Sequence, residues 1–324
     1  MGSVIGLVLP FFGLIALGFI TARITRQPIE ALGWMNTFIV YVALPALFFN
    51  LVAKTPVEEL AEFRFIVATT LSTFIIFVVM FAIAIVRTRG EIAPSTIMGL
   101  AAAYGNIGYM GPGLALLAFG EAAVVPVALI FCFDNVLHFV MAPLMMALSE
   151  DDDEKPPPLQ VAFLVFKRIA LHPFILATVV GVTAAIVGFR PPDAAQTLLN
   201  YLANAAAPCA LFAMGVTLAL RPLNRMPKEA AIIAPLKLII APALLYIIVS
   251  WAGDFQPVWI YAAVLLAALP TATNVYVIGQ QYGVWVERAS AMVLITTVLS
   301  VITVTALLYL MTNDLMPPDL FPGG

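Results

Sequence analysis

Asp134, Asn135 and His138 stand within one helical turn of each other, in the middle of an otherwise apolar run. Spaced four apart, Asp134 and His138 share a helical face, where they can pair or pass a proton. An ionised carboxylate at the centre of a bilayer costs roughly 2.5 to 3.5 kcal/mol on insertion scales, so Asp134 needs compensation. Lys237 is a second such group. It lies about 13 Å along a helix axis from Lys228, its nearer charged neighbour, which is too deep for easy snorkelling. Asp134, released backbone carbonyls and an anionic substrate are its candidate partners. The plain alternatives are a static polar pair for Asp134 and His138, and a structural ion pair for Lys237. His172, beside Pro173, has no acidic neighbour in sequence and reads as structural.

Two other segments carry chemistry in their backbone. Tyr104 to Gly113 places four glycines and Pro112 in mid-span, and Pro270 to Tyr276 interrupts another span more mildly. Proline removes an N–H and clashes with the preceding turn, and glycine adds freedom, so both segments should leave the helical ladder. Groups released at membrane depth are tolerated only against protein or a water-filled cavity. Corresponding interruptions in two halves of a chain mark the binding site of many secondary transporters. The candidate substrate-binding residues are therefore Asn106, Gly108, Tyr109, Gly111, Pro112 and Gly113 in the first segment, and Thr271, Thr273, Asn274, Val275 and Tyr276 in the second. A half-helix amino end favours an anion, and Asn106 and Asn274 add amide donors suited to a carboxylate. The alternative is that the asparagines only satisfy the broken backbone. Asp134, Asn135, His138 and Lys237 are the candidates for coupling or charge balance.

The elements that position these residues are membrane helices. The 324 residues are 63% hydrophobic and 10% charged, with mean hydropathy +1.05; a soluble domain carries roughly 25% charged residues. Apolar runs of about 20 residues define ten spans. Five run near Ser3 to Arg23, Trp34 to Ala53, Phe65 to Val86, Pro94 to Phe119 and Glu121 to Leu148. Five more run near Ile169 to Phe189, Ala194 to Leu220, Glu229 to Trp251, Val258 to Tyr282 and Val286 to Met311. The first run is too long for a signal-peptide core and has no basic residue ahead of it, so it should remain as a helix.

With the amino terminus outside, Lys and Arg gather at one set of span ends, from Arg23 and Arg26 to Lys228 and Arg288, while the other set holds Lys54, Arg64 and Arg190. That bias predicts both termini on the outer side of the membrane. It makes the acidic run Glu150 to Glu154 a cytoplasmic loop, followed by a short interfacial helix over Leu159 to Arg168. Pro10-Phe11 recurs as Pro173-Phe174, Gly18 as Gly181 and Pro45 as Pro208, each 163 positions later. An odd number of spans per copy inserts the second copy upside down, which predicts an inverted repeat. The domains are then a first five-helix repeat over 1–148, a cytoplasmic loop and interfacial segment over 149–168, and a second repeat over 169–324.

At these residues the chain resembles the auxin efflux carrier family, which includes plant PIN auxin exporters and bacterial permeases proposed for malonate or malate. The marks are Tyr41 to Phe48 (YVALPALF), Asn106 to Gly113, Lys237-Leu238 with Pro242, and Ala268-Leu269-Pro270 through Tyr282. The long cytoplasmic loop of many plant members is absent, as in a compact bacterial form. The resemblance implies an all-α membrane fold of ten helices in two inverted five-helix repeats, like the sodium/bile-acid symporters of the bile/arsenite/riboflavin superfamily. It implies that broken helices 4 and 9 cross, with Gly113 and Val275 in the places where the family often has proline and Pro112 one residue early. It also implies a scaffold of helices 1, 2, 6 and 7, often dimeric, and a transport domain of helices 3–5 and 8–10 that moves in an elevator-like way.

The expected function is carriage of a small organic anion, a mono- or dicarboxylate, across the inner (plasma) membrane. Efflux is the direction the resemblance favours, with proton coupling ahead of sodium, or with none. A sodium-coupled symporter of the bile-acid type is the nearest rival, and a channel or a sensor without turnover is more remote. An intramembrane hydrolase needs an activated nucleophile or a second carboxylate, and Asp134 is the one acid deep in a span. Basic residues are scattered rather than striped, which excludes nucleic acid. Cys132 and Cys209 fall inside apolar spans with no Cys/His spacing suited to zinc, so neither metal nor cofactor is expected.

Overall fold

The computed structural model describes residues 2–56, 61–149, 170–220 and 226–321, with isolated positions between 159 and 167. The expected acidic loop and interfacial helix over 149–168, and the basic positions Arg221 and Arg225, lie almost wholly outside the described residues. Among the described residues the chain is all-helical, without a strand. The helices are α1 (Gly2–Thr25), α2 (Ile29–Val52), α3 (Phe63–Arg87), α4 (Ile92–Ala103), α5 (Gly111–Phe119), α6 (Val124–Ala147), α7 (Pro173–Ile186), α8 (Asp193–Leu220), α9 (Ala230–Ala252), α10 (Pro257–Ala267), α11 (Thr273–Tyr282) and α12 (Val286–Thr312). Six helical stretches are long and apolar enough to cross a bilayer, and four shorter apolar helices accompany them. Two of the shorter ones, α4 and α10, are those that stop at the glycine-rich and proline-containing interruptions.

The chain forms two compact units. The first gathers Met1–Phe63, Gly108–Cys132 and Leu171–Pro222. Lipid tails are as apolar as leucine, so helices in a bilayer associate through close packing of small residues. Here α1 and α8 meet backbone to backbone: a Cβ on Gly18 would lie 2.1 Å from the Phe212 carbonyl oxygen, and one on Gly215 would lie 1.9 Å from that of Ile15. The pair α7 and α2 repeats the arrangement, with Gly181 against Val52. Phe48 of α2 stacks on Phe131 of α6, with centroids 4.1 Å apart. Polar groups also join α2 to α8. Gln196 donates to Asn50 and to Asn200, each at 2.9 Å, and Asn50 donates to Asn200 at 3.2 Å.

The second unit gathers Arg64–Ile107, Phe133–Ala170 and Leu223–Gly324. Its core includes Phe77 and Met80 of α3, Ile97 and Leu100 of α4, Ile233 of α9, Val275 of α11 and Met292 of α12. Phe65 packs edge-on against Trp259 at 4.9 Å. The Tyr246 and Tyr261 hydroxyls donate to the Pro317 and Met316 carbonyls, fastening the tail after α12. Helix α9 widens into a π-turn over Leu236–Ile240, two residues before Pro242, whose missing N–H cannot continue the regular ladder. A matching π-turn at Ile39–Ala43 of α2 precedes Pro45. The π-turn in α9 carries Lys237, which is 1% exposed.

Candidate binding site

The site is built where the two interruptions of the second unit meet. Helix α4 ends at Ala103 and the chain turns extended at Tyr104; α10 ends at Ala267, and Ala272 is extended just before α11. Gly105 and Thr271 form an antiparallel bridge. The Asn106 N–H donates to the Pro270 carbonyl at 2.7 Å, and the Ala272 N–H donates to the Tyr104 carbonyl at 2.9 Å. Peptide groups freed from one helix are thus satisfied by those freed from the other, as buried backbone requires.

Side chains lock this pairing. The Thr271 N–H donates to Thr296 Oγ1 at 3.1 Å, and its hydroxyl donates to the Ala101 carbonyl at 2.7 Å. Both Thr271 donors are therefore used within the fold. The Tyr104 hydroxyl donates to Asn135 Oδ1 at 2.6 Å and accepts from Asn274 Nδ2 at 2.9 Å. Its ring stacks on His138, with centroids 4.0 Å apart and planes 13° apart. One of the two Asn274 amide hydrogens is taken by this bond, and Asn106 is buried at 3% exposure.

Three ionisable side chains complete the cluster. Thr73 Oγ1 of α3 donates to Asp134 Oδ2 at 2.9 Å. His138 Nδ1 lies 2.5 Å from the backbone oxygen of Asp134. Lys237 Nζ donates to the Ala267 carbonyl at 2.7 Å, so a cation sits at the carboxyl end of α10, where the helix dipole is negative. A Cβ on Gly105 would come within 3.1 Å of that amine, so only glycine leaves the amine its full room. Lys237 and Asp134 interact electrostatically, without a direct ion pair among the described residues. Thr273 and Asn274 open α11, so their backbone amides form its amino end.

Of the sequence candidates, Asn106, Thr271, Thr273, Asn274, Val275, Tyr276, Asp134, Asn135, His138 and Lys237 all fall in this unit. Val275 is fully buried and Tyr276 packs on the same core. Gly113 and Val275, where the family pattern sets the crossing, lie inside the resumed helices α5 and α11. Gly108, Tyr109, Gly111, Pro112 and Gly113 belong to the first unit. There Gly108 faces Phe131, and Gly113 fits between Phe11 and Ala207. A cavity of about 450 Å³ in that unit is lined by Pro10, Phe11, Gly113, Leu116, Pro208 and Leu211, among others. Those side chains are apolar and offer a carboxylate no donor. Tyr104, Thr73 and Thr296 emerge only in the structure. Tyr104 opens the glycine-rich segment, a signal that was visible; Thr73 is one of several threonines in an apolar span and carried none. Among the described residues no group of three or more His, Cys, Asp or Glu is placed to hold a metal, and Cys132 and Cys209 are free thiols.

Residues 3–308 match the family described as "Membrane transport protein". A protein of Rhizobium meliloti (strain 1021) named "Putative malonate transporter" is 60% identical over 322 residues, covering 99% of this chain and 100% of the relative. An uncharacterised transporter of Methanothermobacter thermautotrophicus is 25% identical, covering 91% of this chain and 94% of its own length. Auxin efflux carrier component 1 of Arabidopsis thaliana is 22% identical over 157 residues, covering 47% of this chain and 25% of the relative.

Proposed function

Since this chain belongs to the Membrane transport protein family, and is therefore a multi-pass membrane transporter and not an enzyme, we propose that it carries small carboxylates of the size and charge of malonate. The observation that carries this reading is the concentration of positive character at the paired interruptions. Lys237 is buried beside them, and the amino end of α11 opens there, with Asn274 held in place by Tyr104. A helix amino end and a buried ammonium together favour a carboxylate. The 60% identity to a protein named for malonate supports the substrate class.

The proposed architecture is ten spans in two inverted five-helix repeats over 1–148 and 169–324, with helices 4 and 9 crossing at their breaks. A contact symmetry supports it: Gly18 packs on the Phe212 carbonyl, and Gly181 packs on Val52 and the Phe49 carbonyl. Gly181 follows Gly18, and Phe212 follows Phe49, by the same 163 positions. The proposed mechanism is elevator-like, with helices 1, 2, 6 and 7 as a scaffold that also forms a homodimer, and helices 3–5 and 8–10 as the moving domain. One compact unit gathers α1, α2, α7 and α8, which supports the scaffold grouping, although it also takes α5 and the first turns of α6 from helices 4 and 5. The distribution of Lys and Arg supports an inner-membrane orientation with both termini outside.

The test is counterflow of labelled malonate into proteoliposomes of the purified chain, competed by a series of mono- and dicarboxylates. Saturable exchange inhibited best by short dicarboxylates is the expected result. Exchange of no carboxylate, together with no carboxylate raising the unfolding temperature, overturns the reading.

A further inference from the structure

The buried polar atoms of the second unit differ in what they still lack. Thr271, Tyr104, Asn274 and Lys237 hold the partners described above. Asp134 Oδ1 and His138 Nε2 have none. Both atoms are acceptors. A carboxylate oxygen only accepts. His138 Nδ1 contacts the Asp134 backbone oxygen, which also only accepts, so Nδ1 carries the ring hydrogen and Nε2 a bare lone pair. Both side chains are more than nine-tenths buried, at 7% and 2% exposure, and the imidazole is pinned flat against Tyr104.

Leaving a buried acceptor without a donor costs about 1–3 kcal/mol, and here two lie one helical turn apart. A carboxylate substrate cannot satisfy them, because it too is an acceptor. What completes them must bring hydrogen or positive charge. A hard metal cation such as sodium takes several oxygen ligands, whereas the open atoms here are one oxygen and one imidazole nitrogen. A proton needs a single acceptor.

We propose that Asp134 and His138 form a proton-binding site that couples anion transport to one proton. The proton adds to Asp134 Oδ1, converting carboxylate to carboxylic acid, and leaves from the same oxygen on the opposite side of the membrane; His138 Nε2, one helical turn along, is the second proton acceptor of the site. The titratable and charged groups around the Asp134 and His138 pair are Tyr104, stacked on His138 from the segment after α4, and Lys237 on α9, while Thr73 of α3 holds the other carboxylate oxygen. While Asp134 is charged, Lys237 is its counter-ion within the unit; once Asp134 is neutral, the Lys237 charge is left for the incoming anion. Proton and anion therefore bind cooperatively. The coupling rests on the carboxylate-carrier reading, but the proton site itself does not.

Infrared difference titration of the detergent-solubilised full chain from about pH 5 to 8 reads the site without any substrate. The expected result is a protonated-carboxyl band that titrates in the wild type, is lost in Asp134→Asn, and shifts its midpoint in His138→Gln. A band that persists in Asp134→Asn, or no titrating band at all, overturns the proposal. In proteoliposomes clamped at zero potential with potassium and valinomycin, an acid-outside gradient should raise internal malonate about tenfold per pH unit for one proton. Dependence on sodium with indifference to pH overturns the coupling. If the band behaves as expected while no carboxylate is exchanged and none raises the unfolding temperature, the carrier reading falls and the proton site stands.

Discussion

The Tyr104 hydroxyl accepts the Asn274 side-chain amide at 2.9 Å, joining two residues 170 positions apart in sequence, and donates to Asn135 at 2.6 Å. One oxygen thereby ties both interruptions to α6. Tyr104→Phe leaves the ring stacked on His138 and removes that oxygen, and with it the hydrogen bonds to Asn274 and Asn135. At about 0.5–1.5 kcal/mol net per hydrogen bond, the unfolding temperature in detergent should fall and malonate affinity should drop about tenfold. Equal melting and equal binding in the variant would show that the oxygen ties nothing together.

Asn274 and Thr271 should separate binding from scaffolding. Asn274→Ala is expected to weaken malonate about tenfold, near 1.4 kcal/mol, because it removes an amide at the amino end of α11. Thr271 has both donors engaged with Thr296 and Ala101. Thr271→Val should lower stability while leaving malonate affinity per folded molecule unchanged. Calorimetric titration of monodisperse protein checks both, and the reverse pattern would move the site away from α11.

Lys237 and Asp134 should prove interdependent. Lys237→Met removes the cation that meets the Ala267 carbonyl and leaves Asp134 without its counter-ion. Losing one of two interacting buried charges destabilises the fold, and replacing both restores part of the loss. The double variant Asp134→Asn with Lys237→Met should therefore melt higher than Lys237→Met alone, although neither should transport. Additive losses in a double-mutant cycle would mean the two charges act separately.

At the α1 and α8 seam, Gly215→Ala would drive a Cβ to 1.9 Å from the Ile15 carbonyl oxygen. The helices must separate, at a cost of about 3 kcal/mol or more. Gly13→Ala, on the same α1 helix with nothing within 4 Å, should be neutral or slightly stabilising. Fluorescence-detected size exclusion after heating compares them, and equal survival would remove the seam from the account of stability.

The Arg288–Glu229 pair at 3.0 Å is a control. Arg288 is more than half exposed, so Arg288→Ala should change the melting temperature little, in keeping with about 0–1 kcal/mol for exposed pairs.

The interruptions were legible because Gly105, Gly108, Pro112 and Pro270 cannot all sit in continuous helices. Their paired geometry was not, since a hydrogen bond from Asn106 to Pro270 depends on how two distant segments meet. Asn274 was visible as a polar residue at membrane depth, but that Tyr104 occupies its amide was not, because a tyrosine among apolar residues reads as core. Lys237 announced itself by its depth in an apolar span. Its partner, the Ala267 carbonyl, has no residue signature, since every residue carries one. The recurring Gly18 and Gly181 marked a repeat, and only the structure shows which helix each glycine admits.

Two peptide hydrogen bonds, from Asn106 to Pro270 and from Ala272 to Tyr104, supply internally what a regular helix would have supplied. The kinked segments are thus self-supporting, and their upkeep makes no demand on cargo. Under the carrier reading proposed above, these peptide groups need no cargo to satisfy them on the empty return, so net flux as well as one-for-one swapping is expected.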